Sequence, residues 1–187
     1  ALLSEKSRER GQQVLDAFSQ VGVEAYHVEN VIHAVQINDS IRAHEHLTGV
    51  GVEEKASLLD VPLPLGKLLF EAEREDLEQV EQFIRNCGWA KDYELIYSGK
   101  TLLELTAKGA SKGGMLRKLA QRLGVAPENT YAVGDEGNDL SMLEMSAVGF
   151  APANCALSVR QSGVQIVCDA HGDALAEVIA ALEKRYS

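Results

Sequence analysis

The stretch Tyr131-Ala132-Val133-Gly134-Asp135-Glu136-Gly137-Asn138-Asp139-Leu140 places three carboxylates within five positions, in a glycine-bracketed turn directly after an apolar run. Carboxylates crowded in this way repel one another, and a divalent cation relieves the repulsion. Asp135 and Asp139 bracket the turn, so both can approach one point outside the carboxyl end of the preceding strand, where open α/β sheets bind ligands. Oxygen ligands of this kind suit Mg2+, which is typically held by one or two carboxylates plus water and substrate phosphate. The competing reading is an acidic helix start, since Asp and Asn cap helices and the macrodipole welcomes negative charge there. The apolar strand before the turn and the two glycines favour the metal.

A second segment, Lys108-Gly109-Ala110-Ser111-Lys112-Gly113-Gly114, stands immediately before the helical apolar set Met115, Leu116, Leu119 and Leu123. A lysine in the first helical turn opposes the helix dipole, and glycines there lower helix propensity. Both choices make sense beside an anion. Free N–H groups at a helix start together with an ammonium form a phosphate site, and glycines let a ligand approach the backbone closely. Taken alone, the segment also reads as an ordinary capped loop.

The elements that must position these groups follow from the apolar spacing. A helix is predicted over residues 4 to 21, with Ser4 as N-cap and Gly22 as its stop. Val23 to Glu29 and Val31 to Asn38 read as a hairpin turning at Glu29-Asn30, followed by a polar helix around Ser40 to Leu47 and a weakly patterned region through Leu59. A strand at Lys67 to Glu71, a helix from Glu73 to Asn86 and a second hairpin, Tyr93 to Tyr97 with Thr101 to Thr106, complete an α+β unit over residues 1–108. From residue 109 to 187 the rhythm changes to helix and strand in alternation. Helices are predicted at Ser111–Leu123, Asn138–Met145, Ala156–Gln161 and Asp173–Lys184, with strands at Thr130–Val133, Ala147–Ala151 and Val164–Cys168. Such alternation means parallel βαβ units, so the fold class is α/β with an additional α+β domain.

Bulk properties exclude several functions. The 187 residues carry 18 Lys and Arg against 28 Asp and Glu, a formal net charge of −10. That balance repels polyanions and argues against nucleic acid or an anionic membrane surface as partner. Cys87, Cys155 and Cys168 have no metal or disulfide spacing, which points to a reducing, cytoplasmic setting. The opening Ala1-Leu2-Leu3 runs straight into charged residues, with no apolar stretch long enough for a signal peptide or a span. The five histidines include the pair His44 and His46, but a spacing of two puts these on different helix faces, and no cysteine or carboxylate set in the sequence completes a zinc pattern.

In these motifs the chain resembles the haloacid dehalogenase (HAD) superfamily, specifically its Cof-like sugar-phosphatase branch. The resemblance rests on Leu102-Leu103-Glu104-Leu105 leading into Lys108 to Gly113, on Gly134-Asp135-Glu136-Gly137-Asn138-Asp139-Leu140-Ser141-Met142-Leu143, and on Gly149-Phe150-Ala151-Pro152-Ala153-Asn154-Cys155. It implies a Rossmann-like core, partly present in residues 109–187, and a cap domain in residues 1–108. It further implies a Mg2+-dependent phosphohydrolase of small phosphorylated metabolites, sugar phosphates above all. Asp135 would then be the direct Mg2+ ligand and Asp139 a second acidic group acting on the metal or its waters. Lys112 would neutralise nucleophile and phosphoryl group, and Asn138 would orient phosphate or Lys112. Asn154 would line the phosphate pocket or pack its loop.

The family nucleophile lies in an Asp-x-Asp-Gly-Thr motif, and no Asp-x-Asp occurs here. The aspartyl-phosphate route cannot run without that residue. The expectation is therefore a chain inactive alone, its core sheet completed by a missing N-terminal segment or by self-association. Two alternatives remain at this level. One is a non-catalytic truncated homologue that binds or assembles. The other is a receiver-type domain phosphorylated at Asp135, which is disfavoured because receivers place their lysine after the phosphoacceptor.

Overall fold

The computed structural model describes residues 2–187, and the chain divides into two compact units, Ala1–Ala110 and Ser111–Ser187. The first contains α1 (Ser7–Ala17), β1 (Gly22–His27), β2 (Ile32–Val35), α2 (Asp39–Thr48), β3 (Glu53–Glu54), β4 (Leu65–Glu71), α3 (Arg74–Asn86), β5 (Tyr93–Tyr97) and β6 (Leu102–Ala107). Its six strands form one sheet in the order β3-β2-β1-β4-β6-β5, antiparallel except for the β2–β3 pair.

Strand alternation gives this sheet two unlike faces. On one, Val35, Val23, Phe70, Leu103 and Tyr97 lie in register across five strands, and Leu68, Leu105 and Leu95 form the neighbouring row. Val14 and Leu15 from α1 and Leu77, Val80 and Ile84 from α3 pack in the same core cluster. Each such side chain contributes ~1.5–3 kcal/mol when fully buried. The other face carries Glu24, Tyr26, Lys67, Glu71, Glu94 and Glu104.

The first helix is shorter than its apolar spacing suggests. The Ser4 carbonyl accepts from the N–H of Ser7, where α1 begins, and the Val21 N–H turns back onto Phe18, releasing the chain into β1. Gly22 is therefore the first residue of a strand, paired with Glu71, rather than a helix stop. A Cβ at Gly22 would lie 2.7 Å from the Gln36 carbonyl oxygen and 2.6 Å from Ile41 Cδ1, so the glycine is required by close packing.

The second unit runs α4 (Lys112–Leu123), β7 (Tyr131–Val133), α5 (Leu140–Met145), β8 (Val148–Pro152), α6 (Leu157–Arg160), β9 (Gln165–Val167) and α7 (Ala174–Tyr186). Its strands form a parallel sheet in the order β7-β8-β9. The core is small: Ala132, Leu143, Ala151 and Val159, with Leu140 and Met142 packed against it. Among the described residues β7 pairs with β8 alone, and Val133 is 39% exposed. Leu119, Leu123, Leu175 and Ile179 are also exposed. Among the described residues no helix is long and apolar enough to cross a membrane.

Phe70→Ala is expected to lower the unfolding free energy by ~3–5 kcal/mol through the cavity it leaves. Leu47→Ala, at an exposed position, is expected to change it by less than ~0.5 kcal/mol. Urea unfolding of the two variants checks both values.

Candidate active site

The acidic turn lies at the carboxyl end of β7, as sheet geometry requires for a ligand-binding loop. The Gly134 N–H donates to the Phe150 carbonyl at 3.1 Å, and the Asp135 carbonyl accepts from Ala156 at 2.8 Å, tying the turn to β8 and to the segment that follows it. Gly137 to Asp139 form a single 3₁₀ turn that leads into α5.

Asp139 organises this turn. Its side chain is 7% exposed, and Oδ2 accepts the backbone N–H groups of Asp135 and Glu136 at 3.1 and 3.2 Å. Oδ1 lies 2.5 Å from Lys112 Nζ, which also donates to Asn138 Oδ1 at 3.3 Å. A buried carboxylate without partners is costly, so these three donors hold the charge in place. The carboxylate also folds back over Gly134, where a Cβ would come within 2.4 Å of Asp139 Cβ.

Lys112 is the first residue of α4, whose N-cap Ser111 accepts from the Gly114 N–H at 3.1 Å. Its unfavourable position against the helix dipole is compensated by the bond to Asp139. The glycine beside it has a different role from the ligand approach expected from sequence. A Cβ on Gly113 would lie 2.0 Å from the Ser141 carbonyl oxygen, and the Gly113 N–H donates to Ser141 Oγ at 3.1 Å. Gly113 is small because the start of α4 rests on the backbone of α5.

The structure thus joins Lys112, Asn138 and Asp139 in one hydrogen-bonded group. Asp135 stands apart from it: the residue is exposed, and among the described residues its carboxylate has no hydrogen-bond or ion-pair partner. Asn154, also exposed, accepts from the Ala170 N–H at 3.0 Å and bonds to none of the other three, so its visible contact ties two loops together. Lys108 pairs with Glu94 on β5, 3.1 Å away, in the first unit. A further acidic and histidine group, Glu24, His44 and Glu71, comes together in that unit. Sequence spacing missed it, and the available signal was two glutamates embedded in apolar strands.

Residues 5–179 match the family model described as haloacid dehalogenase-like hydrolase. Phosphatase YwpJ of Bacillus subtilis is 38% identical over 92 residues, covering 46% of this chain and 32% of the relative. Pyridoxal phosphate phosphatase YbhA of Escherichia coli is 26% identical over 169 residues, covering 81% of this chain and 62% of the relative. The chain thus spans about a third to three fifths of the length of these two curated relatives. Among solved structures, the HAD subclass IIB sugar phosphatase BT4131 superposes with a TM-score of 0.81 at 18% identity, over 98% of this chain and 68% of that one. At that identity the likeness shows the fold: a mixed α/β architecture with a Rossmann-like core.

Gly113→Ala is expected to destabilise the chain by ~1–3 kcal/mol or more, because the added methyl meets backbone rather than a mobile side chain. Gly109→Ala, which meets open space but sits at φ 76°, is the comparison. It tests strain without a clash, with denaturant midpoints as the readout for both.

Proposed function

Because the chain belongs to the haloacid dehalogenase-like hydrolases, we propose that it is part of a Mg2+-dependent phosphohydrolase of small phosphorylated metabolites, sugar phosphates foremost. The observation that carries this reading is the group at the end of β7: an ammonium fixed by a buried carboxylate, with a second carboxylate beside it in sequence left free. The curated relatives are phosphatases by name, and a solved structure of the same fold is a sugar phosphatase.

The donor set fits one hard cation. Asp135 offers an exposed carboxylate, unpartnered among the described residues, whereas both oxygens of Asp139 are already engaged. Asp135 would therefore hold Mg2+ directly, and Asp139 would act on its waters while anchoring Lys112. Bound Mg2+ supplies positive charge against the phosphoryl oxygens. Lys112 supplies more, from a position set by Asp139 and Asn138 before substrate arrives. Such preorganised charge is commonly the largest catalytic contribution.

In this reading an aspartate carboxylate attacks phosphorus and displaces the substrate alcohol, and water then releases phosphate from the aspartyl intermediate. These 187 residues contain no Asp-x-Asp. The nucleophile belongs to a further segment of the core, and the open edge of β7, where Val133 is exposed, is where additional strands would pair. The chain alone is then inactive. Ser111–Ser187 forms the C-terminal part of that core, and the first unit takes the part of the cap, which selects the substrate. Three free cysteines fit a reducing, cytoplasmic setting.

Turnover of a generic aryl phosphate by the complete protein tests the proposal. Activity is expected with Mg2+ and not with chelator. Asp135→Asn and Lys112→Ala are each expected to lower kcat by about 10²-fold or more. Full turnover in Asp135→Asn overturns the metal assignment. A complete protein that binds Mg2+ and never turns over makes the binding-module reading the correct one.

A further inference from the structure

Three polar side chains meet on the charged face of the six-stranded sheet. Glu24 on β1 and Glu71 on β4 are diagonal neighbours, since the strands pair Glu24 with Leu69 and Gly22 with Glu71. The third, His44, comes from α2. That helix is drawn onto the sheet by Ile41, which packs against Gly22, and by its N-cap Asn38, which accepts from the Ile41 N–H at 3.0 Å and donates to the Glu71 carbonyl at 2.7 Å. His44 Nδ1 lies 3.2 Å from Glu24 Oε2 and 3.3 Å from Glu71 Oε1, and one ligand atom from each residue falls within 4.8 Å of the others.

We infer that Glu24, His44 and Glu71 bind one late first-row divalent cation, with Zn2+ the best fit. Around a tetrahedral centre with bonds of ~2.0 Å, neighbouring ligand atoms stand about 3.3 Å apart. The two nitrogen-to-oxygen separations match that spacing. Imidazole nitrogen and carboxylate oxygen are both zinc ligands, three protein ligands leave a fourth position for solvent or substrate, and imidazole discriminates against Mg2+.

A second, independent feature points to a ligand. The Glu71 side chain is 0% exposed, and among the described residues neither of its oxygens has a hydrogen-bond partner, the 3.3 Å approach of His44 Nδ1 being its ion-pair contact. Buried carboxylate oxygens are ordinarily paired. The nearby ammonium, Lys67, is committed to Glu104 at 3.1 Å and to the face of Tyr26. A divalent cation would neutralise the Glu24 and Glu71 carboxylates at once. Tyr26 donates to Glu24 Oε2 at 2.7 Å, the kind of outer contact that orients a ligating carboxylate. His44 also lines an open cleft of ≈310 Å³ with Asp39, Ser40, Leu47, Glu73 and Thr101.

The test uses the 187-residue chain stripped with chelator and titrated with Co2+, reading visible d–d absorption, with Zn2+ as competitor. The expected result is a band that saturates at one equivalent in Asp135→Asn, which removes the acidic-turn carboxylate, and the same band in the parent chain. His44→Gln and Glu71→Gln are expected to weaken binding at least about tenfold. No absorption band, a band unchanged in His44→Gln, or a band lost in Asp135→Asn overturns the inference. If the site variants fail to fold by circular dichroism, X-ray absorption on Zn2+-loaded Asp135→Asn decides. A shell of one imidazole with oxygens upholds the site. An all-oxygen shell, several imidazoles or sulfur ligation sinks it.

Discussion

The second unit depends on the burial of one charge. Asp139 sits beneath the turn after β7 and draws three donors to itself: the Lys112 ammonium and the backbone N–H groups of Asp135 and Glu136. A carboxylate with fewer partners would not stay under that turn. With them, it fixes the loop conformation and locks the start of α4 against the start of α5, where only glycine fits at position 113. The small apolar core of this unit could not enforce such an arrangement by packing alone.

This constraint divides the work between two aspartates that look equivalent in the sequence. Asp139 spends both oxygens on structure and on aiming Lys112, whereas Asp135 keeps its carboxylate free toward solvent. In the proposed phosphohydrolase, a positive group placed beforehand would leave little rearrangement to accompany the reaction. The α4 N-terminus costs the lysine little, because the carboxylate outweighs the dipole there.

How far all this can be read from sequence depends on how local each cause is. The β5–β6 hairpin and the last three strands emerge close to their expected positions, because alternation and turn residues act over a few positions. The two-residue β3 leaves no apolar trace, being exposed at both positions and defined by backbone pairing with β2. The acidic turn is legible by residue type, but which aspartate faces inward is decided by Lys112, 27 positions away. Gly22 and Gly113 look like a helix stop and a ligand approach, and both are packing glycines whose clashing neighbours lie far along the chain. Glu24, His44 and Glu71 share no motif at all; only the pairing of β1 with β4 and the seating of α2 bring them together.

The strand order of the first unit also bears on how the chain emerges from a ribosome. The β1–β2 hairpin and β4 become available in sequence, so the whole of β4 is there to pair with β1 once residue 71 is out. Its opposite edge, running through Leu68, Leu69 and Phe70, has to wait for β6, more than thirty residues later. For that interval the nascent chain presents an apolar strand edge, the surface that invites pairing with another chain. The intervening residues include α3, whose Leu77, Val80 and Ile84 pack on the same core cluster as Phe70. The helix made during the wait thus covers the apolar face, while the edge itself stays open until the last hairpin closes it.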